Sequence, residues 1–294
     1  MNIFALLKVT KDLTNSEKAI VEFILKHPQQ FLEMNTKQIS QECYVSTSSI
    51  YRLCEKLNLS GLSELKVRIS GSIESYLKEN ENIDFNFPIQ QNQTHFEMMN
   101  NLKADYKQTI DSTFELFQLD QLKHAVNAMK KAKFIDIYTS AGNVPFALNF
   151  QFQMQEIGVI VNVPIDEYRQ RLSASSSDKT HFAIIISFGG RGILSPILPA
   201  ILNQNKTPIL LISSTEYHPI NTHIDYQLFM SSHEDHYHKI SSYSTRLSLL
   251  YILDVLYTCY FELDYDYFLQ KKLEYYQVIR ENSEKNDKKI IFFH

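Results

Sequence analysis

The most distinctive chemical feature of the sequence is a cluster of glycines. Seven glycines occur in 294 residues, and Gly189, Gly190 and Gly192 follow directly after the apolar run FAIIIS. A glycine-rich turn between a buried strand and a helix exposes backbone amides that attract an anion. The loop SFGGRG fits neither the nucleotide P-loop nor the dinucleotide-binding pattern. A smaller phosphorylated ligand therefore remains, and the alternative is a tight turn that needs glycine only for its backbone angles.

A second candidate for chemistry is the histidine-rich segment SSHEDHYHK. It places His233, Asp235, His236 and His238, whose side chains can bind metals, close together. Their spacing matches no known zinc signature, so we interpret the segment as a loop rich in titratable residues. We therefore assign neither a metal ion nor a cofactor to the protein.

A third candidate is a hydroxyl-rich stretch that follows Val45. A helix is expected from Thr47 to Leu57, with Ser46 at its N-cap. Small hydroxyls at a helix start permit close approach to DNA, and an arginine can bind guanine O6 and N7. Lys66 and Arg68 could add phosphate contacts. The main candidates for DNA contact are Lys37, Ser46, Thr47, Ser48, Ser49, Tyr51, Arg52 and Lys56. The alternative is a helical bundle with a solvated polar face.

Short helices must position these hydroxyls. The residues Thr14 and Glu17 have the spacing of a capping box, and a further helix is expected around Thr36 to Cys43. Four apolar residues of the next helix, Ile50, Leu53, Cys54 and Leu57, recur at helical spacing and would face the preceding helix. Two short helices joined by a tight turn form a helix-turn-helix. We therefore predict an all-α helix-turn-helix domain over residues 1–78.

The second half of the chain has a different periodicity. Helical segments alternate with five β-rich runs, at 134–138, 159–163, 182–187, 208–213 and 224–229. Such alternation predicts an α/β fold with a doubly wound, five-stranded parallel sheet. We place a linker at residues 79–95, the α/β domain at 96–280 and a tail at 281–294.

Composition limits the class of protein. The net charge is −4, divided into +1 over residues 1–80 and −5 over the rest, which gives mild support for nucleic acid contact at the N-terminal end. Three cysteines cannot form a disulfide framework. The N-terminus lacks a secretory pattern, and the apolar run Leu247 to Phe261 is too short to span a membrane, so it predicts a buried or interface helix. We expect a cytoplasmic protein without membrane association.

The N-terminal residues resemble a known family. The stretch from LTNSEKAIVEFILKHP to TKQISQECYVSTSSIYRLCEKLNLSGLSELKVRIS is similar to the DNA-binding domain of RpiR-type (MurR/RpiR) bacterial transcription regulators. This resemblance implies DNA binding through the helix that begins at Thr47. Tyr44 and Asn58 stand at positions where the family usually has glycine. Asparagine tolerates φ > 0, whereas tyrosine there implies local strain or a different turn.

The C-terminal half resembles the sugar isomerase (SIS) domain of the same regulators. The matching blocks are IDIYTSAGNVPFALNFQFQMQEIG, RLSASSSDKTHFAIIISFGGRG and TRLSLLYILDVLY. The resemblance implies a five-stranded parallel sheet that binds a phosphorylated sugar between the loops after its first and third strands. The residues that it implies for ligand binding are Ser140, Asn143, Ser173, Ser175, Ser187, Gly189, Gly190 and Arg191.

The SIS motifs of this chain are altered. Asn143 replaces the usual serine of the first loop, and Thr139 and Ala141 replace its usual glycines. In the second loop the usual S-x-S-G-x-T has lost its second hydroxyl and its threonine. Ser187, Asn143 and Arg191 could still hold a phosphate, since arginine supplies charge-assisted hydrogen bonds. A weak, unphosphorylated or absent ligand is the alternative.

These features lead to three functional hypotheses. The first is a transcription regulator of carbohydrate metabolism that binds an operator and a sugar phosphate, is not an enzyme, and forms a homodimer or homotetramer. We expect the C-terminal half, including Leu247 to Phe261, to build the dimer. The second is a phosphosugar isomerase or lyase, which needs a positioned base that neither loop supplies. The third is a degenerate SIS domain that serves only to dimerise the protein.

Overall fold

The computed structural model describes residues 3–10, 12–80, 84–190, 197–217, 219, 222–231 and 233–291. Contacts divide the chain into two compact units, Met1–Phe117 with Ser231–Leu247 and Gln118–Met230 with Ser248–His294. The first unit therefore combines the predicted helix-turn-helix region with a segment from late in the chain. The domain limits stated above remain predictions.

The first unit is helical, as its periodicity predicts. The predicted capping box is present, because the Thr14 amide donates to Glu17 Oε2 at 2.8 Å and the Glu17 amide donates to Thr14 Oγ1 at 3.4 Å. The two predicted central helices also form, each ending one residue earlier than predicted. The helices are α1 Ile3–Val9, α2 Asn15–Lys26, α3 Pro28–Glu33, α4 Thr36–Glu42, α5 Thr47–Lys56, α6 Leu62–Asn80 and α7 His95–Leu116.

A small core fixes the angle between α4 and α5. Ile39 of α4 and Ile50 and Leu53 of α5 are fully buried, together with Ile24 and Phe31 from the preceding helices. Burial of each large apolar side chain stabilises the fold by about 1.5 to 3 kcal/mol. Because the apolar residues of α5 face inward, most of its polar residues face outward.

The second unit contains the predicted parallel sheet. Its strands are β1 Phe134–Tyr138, β2 Val161–Asn162, β3 His181–Ile186, β4 Ile209–Ser214 and β5 Tyr226–Met230. All described pairs are parallel, so the predicted α/β fold with a five-stranded parallel sheet is confirmed, and the strand order β2-β1-β3-β4-β5 is that of flavodoxin-like folds. The helices are α8 Leu119–Lys131, α9 Val144–Gln155, α10 Glu167–Ser176, α11 Ile197–Gln204, α12 Tyr243–Glu262 and α13 Tyr265–Ile291.

The register of the sheet brings two loops together. Strand β1 pairs with β3 along its whole length, and Tyr138 lies opposite Ile185. Parallel neighbours end at the same edge of a sheet, so the loop after β1 and the loop after β3 are adjacent. This edge is where the sequence places the candidate ligand residues.

The apolar helix predicted to be a dimer interface is α12. Its residues Leu249, Ile252, Leu253 and Leu256 are almost fully buried within a single chain. These four residues belong to the core of the protomer. Leu250, Val255 and Phe261 of the same helix are half-buried, so a part of α12 in a dimer stays a prediction. Among the described residues, no helix is both long enough and apolar enough to cross a membrane.

Candidate nucleic-acid interface and anion loops

The start of α5 presents an exposed polar face. Ser46 occupies the N-cap position, and Ser46, Thr47 and Ser48 are exposed. One turn later Arg52 is exposed and Tyr51 is 50% exposed. Hydroxyl, phenol and guanidinium donors therefore lie together on the outer side of the helix, in the arrangement that a recognition helix needs.

The structure confirms Ser46 as the N-cap residue of α5 and corrects the predicted place of Ser49. The Ser46 hydroxyl makes no hydrogen bond to a backbone amide of α5, and lies 2.8 Å from Ser48 Oγ and 2.9 Å from Ser49 Oγ. Ser49 is only 7% exposed, because it lies on the same side of the helix as the buried Leu53 and Cys54. It therefore supports the hydroxyl cluster from inside and is not on the outer face that the sequence analysis assigned to it.

Lys56 is engaged within the domain, although the sequence suggested a phosphate contact. Its Nζ donates to Glu17 Oε2 at 2.7 Å and to the Asp12 carbonyl at 2.6 Å. Glu17 is 1% exposed; burial by itself would raise its pKa, but hydrogen bonds from Lys56 and Thr14 outweigh burial and lower it. A buried carboxylate needs its partner, so Lys56 holds α5 to the start of α2.

Of the other basic candidates, Lys66 and Arg68 are engaged within the domain and Lys37 is exposed. Lys66 Nζ donates to the carbonyls of Leu32 at 2.8 Å and Met34, which are at the end of α3. Arg68 pairs with Glu64 one turn earlier on α6, with Nη2 and Oε1 2.7 Å apart. Lys37, by contrast, is exposed on α4. Lys37 and Arg52 are therefore the cations best placed for DNA.

The turns beside α5 adopt the backbone conformation of the missing glycines. Tyr44 has φ 53° and Asn58 has φ 56°, both in the left-handed region. The turn around Tyr44 is closed by a hydrogen bond from the Val45 amide to the Ser40 carbonyl at 3.0 Å. The sequence analysis expected either local strain or a different turn at Tyr44. The strained backbone angle is observed, and the turn keeps the geometry that glycine would adopt.

The loop after β1 also keeps a glycine-like geometry. Ala141 has φ 51°, in a short 3-10 turn over Ala141–Asn143. The Thr139 hydroxyl donates to the Ile186 carbonyl at 3.1 Å and so ties this loop to the end of β3. Ser140 is exposed and Asn143 is half-buried, so both side chains are available at the carboxyl edge of the sheet.

The loop after β3 brings Ser187 and two glycines to the same edge. Ser187 is 9% exposed, and its amide donates to the Ile212 carbonyl of β4 at 3.0 Å. Gly189 and Gly190 are half-buried, and Gly190 has φ 62°. Arg191 and Gly192 lie outside the described residues. Ser140, Asn143, Ser187 and the two glycines thus follow the carboxyl ends of the paired strands β1 and β3, and their binding of a ligand stays a prediction.

An aromatic residue that the sequence analysis missed lies against this loop. A Cβ atom added to Gly190 would collide with the ring of Tyr217, well inside van der Waals contact. Tyr217 follows β4 and packs against the apolar cluster that includes Leu198 and Ile209. No local motif marks this residue, because only the order of the strands brings the β4 loop beside the β3 loop.

Ser173 and Ser175 are not at the ligand edge. Both lie on α10. Ser173 Oγ lies 3.3 Å from Oδ1 of Asp136, which is in the middle of β1, and 3.2 Å from the hydroxyl oxygen of Tyr138. A crossover helix runs antiparallel to the strands, so its last turn lies toward their amino ends. The start of α10 is the part near the edge, as the hydrogen bond from Gln170 Nε2 to the Thr139 carbonyl at 2.6 Å shows.

The histidine-rich segment packs on residues 85–87, inside the predicted linker. The His233 ring stacks on Phe85 with centroids 4.6 Å apart, and the His238 ring meets the edge of Phe87 at 4.8 Å. Burial, with a smaller contribution from nearby Lys8, lowers the pKa of His233 to about 4. Within the described ranges no three His, Cys, Asp or Glu side chains come close enough to hold a metal.

Two buried carboxyl groups stabilise the start of α12. Glu234 accepts from the Ser244 amide at 2.5 Å and from the Thr245 hydroxyl at 2.7 Å, and Lys239 Nζ lies 3.1 Å from it. Asp105 of α7 accepts from the Ser244 hydroxyl at 2.6 Å through Oδ1, while its Oδ2 finds no partner among the described residues. Burial raises the pKa of Asp105, and the charge of Glu234 raises it further.

We expect Asp105→Asn to stabilise the protein at pH 8 by about 1 kcal/mol, because the amide keeps an acceptor for Ser244 and removes a buried negative oxygen near Glu234. In the wild type, a folded-state pKa above the unfolded value of 3.8 means that the stability contributed by Asp105 is present below 3.8 and lost as the pH rises through the folded pKa. The advantage of the variant should therefore shrink as the pH falls. Urea unfolding at several pH values measures this, and a variant less stable than wild type at pH 8 contradicts it.

A cavity of about 950 Å³ lies elsewhere in the second unit, between α9, β2 and α13. Its lining is mainly apolar and includes Phe152 and Ile279. Glu156 at the end of α9 pairs with Lys272 at 2.8 Å and accepts from the Tyr276 hydroxyl, so it anchors α13. No residue of the β1 and β3 loops lines this cavity.

Comparisons with known proteins agree with both halves of this description. Residues 1–76 match the model of the rpiR-family helix-turn-helix domain, and residues 128–258 match the SIS domain model. An uncharacterised HTH-type transcriptional regulator of Caldanaerobacter subterraneus is 27% identical over 252 residues, covering 85% of this chain and 86% of its own length. A second, from Haemophilus influenzae, is 22% identical and covers 92% of this chain and 93% of its own length.

Solved structures share the fold at low identity. NanR of Vibrio vulnificus, complexed with ManNAc-6P, has a TM-score of 0.58 at 14% identity, covering 95% of this chain and 98% of its own. The sugar isomerase domain of an RpiR transcription factor from Sphaerobacter thermophilus has a TM-score of 0.54 at 12% identity, covering 61% of this chain and 98% of its own. Both support the assigned architecture.

Proposed function

Because the chain belongs to the RpiR family of helix-turn-helix transcriptional regulators and carries a SIS domain, we propose that it binds an operator through α5 and senses a phosphorylated sugar through the β1 and β3 loops. The DNA half of this proposal depends on the exposed donors at the start of α5. The sensing half depends on one observation, the convergence of the two loops at the carboxyl edge of paired strands.

The proposed DNA-contacting set is narrower than the sequence alone suggests. It comprises Ser46, Thr47, Ser48, Tyr51 and Arg52 on the outer face of the α5 start, with Lys37 on α4 as a phosphate contact. Ser49 and Lys56 support this face from within, through the hydroxyl cluster and the pair with Glu17. Base-edge contacts would set sequence preference, and Lys37 would add affinity that depends on salt.

The proposed effector is a sugar phosphate held mainly by backbone amides. Gly189 and Gly190 bring amides to the sheet edge, and Ser140, Asn143 and Ser187 add polar side chains, since the Ser187 amide already donates to the Ile212 carbonyl. Each lost family hydroxyl would remove about 1 kcal/mol of ordinary hydrogen bonding, so affinity is lowered rather than abolished. The complex of NanR with ManNAc-6P supports the same ligand class for this fold.

We propose sensing rather than catalysis. Isomerisation of an aldose or ketose phosphate needs a positioned base, usually glutamate or histidine. The described residues of the two loops, 139–143 and 187–190, include neither. A homodimer completes the proposal, since a helix-turn-helix protein commonly reads two half-sites about 34 Å apart. Sedimentation at micromolar concentration tests it, and a monomer that binds a single half-site tightly contradicts it.

A thermal-shift titration of the full chain tests the sensing proposal. ManNAc-6P should raise the unfolding midpoint, whereas the same sugar without phosphate should not. A ligand at 100 times its Kd stabilises the folded state by about 2.7 kcal/mol. Asn143→Ala should reduce the rise in the unfolding midpoint that the ligand causes. Ser175 is exposed on α10, away from the two loops, so Ser175→Ala should leave that rise unchanged. Tight operator binding with no response to any sugar phosphate would favour a SIS domain that only dimerises the protein.

A further inference from the structure

The turn that precedes α5 holds an aromatic side chain in an unfavourable backbone conformation. Tyr44 has φ 53°, a region that non-glycine residues avoid because Cβ crowds the following carbonyl. Its side chain is 95% exposed. The ring therefore gains little from packing within the domain, and burial cannot account for the strain.

The position of Tyr44 indicates what the ring could contact. It stands two residues before Ser46, the N-cap of α5, whose start carries the exposed hydroxyls described above. The turn itself is rigid, since the Val45 amide and the Ser40 hydroxyl close it by hydrogen bonds across the end of α4. A side chain fixed beside a recognition helix reaches the DNA strand that flanks the groove.

We propose that Tyr44 is an additional DNA-contacting residue, and that it binds the sugar-phosphate backbone next to the groove entered by α5. This inference rests on the proposed DNA-binding function and adds a residue to it. A tyrosine hydroxyl donates to phosphate oxygens, and such contacts position a protein on DNA without reading sequence. The contact would be made with any duplex, so a known operator is not needed to test it.

The chain contains a matched control for the strain. Asn58 has nearly the same backbone angle, φ 56°, is also exposed, and follows α5 at its far end. Glycine removes the backbone strain at either position. Only Tyr44→Gly, however, also removes a side chain beside the start of the recognition helix.

The experiment measures by fluorescence anisotropy how tightly each full-length protein binds a random-sequence DNA duplex. The proteins compared are the wild type, Tyr44→Gly, Tyr44→Asn and Asn58→Gly. We expect both Tyr44 variants to bind DNA about three- to tenfold more weakly than wild type, because each loses one hydrogen bond to a phosphate. Asn58→Gly should bind DNA as the wild type does. The loss should be equal at low and moderate salt, because tyrosine carries no charge. The unfolding midpoint of Tyr44→Gly should be unchanged or higher.

Other outcomes separate the inference from the function on which it rests. If wild type binds no DNA, the DNA-binding proposal itself fails. If wild type binds and the Tyr44 variants bind equally well, only the role of Tyr44 is overturned. A clear fall in the unfolding midpoint of both Tyr44 variants would assign the ring a purely structural role. Equal weakening of Tyr44→Gly and Asn58→Gly would attribute the effect to flexible turns. Tyr44→Asn controls for flexibility, because asparagine tolerates φ > 0 without making the turn as flexible as glycine does.

Discussion

The Gly190→Val variant is expected to lose all response to sugar phosphates while keeping wild-type affinity for DNA. Gly190 has φ 62°, where a β-branched residue is strongly disfavoured, and any Cβ there collides with the Tyr217 ring. The loop or the ring must therefore move, and both border the proposed site. Thermal shift and DNA anisotropy on the full chain, each with and without ManNAc-6P, measure the two properties separately.

Three further variants distinguish the collision from a general effect of adding atoms. Gly142→Ala in the β1 loop adds a Cβ with no other atom within 4 Å and should leave the response intact. Gly190→Ala should lose the response, and Gly190→Ala with Tyr217→Ala should recover part of it, because alanine tolerates the backbone angle at a cost of about 1 to 2 kcal/mol. A Gly190→Val protein that responds like wild type would show that this loop is not the effector site.

The second large effect is expected from Arg52→Ala, which should weaken operator binding by about 1 to 3 kcal/mol, or roughly five- to 150-fold. Arg52 is exposed on the outer face of α5, one turn after the hydroxyl cluster, where a guanidinium can bind guanine O6 and N7. The loss should be larger for operator than for random DNA, because a base contact carries sequence information that a phosphate contact lacks. Competition binding with both duplexes measures this difference.

Arg68→Ala is the matched control, since Arg68 already pairs with Glu64 on α6. It should change operator affinity little. Lys37→Ala should instead weaken binding to both duplexes by the same factor. It should also reduce the salt dependence of binding by the amount that about one phosphate contact contributes. Unchanged operator affinity in a folded Arg52→Ala protein would remove Arg52 from the recognition surface.

Much of the fold could be predicted from local sequence. The capping box at Thr14 and Glu17, the helical spacing of Ile50 and Leu53, and the continuous apolar run of β3 each act over a few neighbouring residues. Their physical causes, namely hydrogen bonds to free amides and the period of an apolar face, are local as well. The five-stranded parallel sheet followed from the alternation of helical and β-rich segments and from the resemblance, and the observed pairing confirms it.

The roles of individual side chains were harder to predict. Lys56 and Ser49 have suitable types and suitable spacing for DNA contact, yet one pairs with Glu17 and the other is buried. The pairing of Lys56 depends on the packing of α2 against α5, which brings Glu17 near from 39 positions away in the chain. Ser173 was misplaced for a related reason, because its segment is a helix that runs away from the ligand edge.

The sequence by itself determined the two-part architecture, the helix-turn-helix with its hydroxyl-rich recognition helix, and the glycine loop at the end of a buried strand. These depend on periodicity, capping and backbone freedom, which are properties of short segments. It took the tertiary structure to show that Tyr217 lies against Gly190, that Lys56 pairs with Glu17, and that Leu249 and Leu253 of α12 are buried in the core. The physical reason is that these are contacts between segments distant in the chain, and close packing sets them only when the whole fold is assembled.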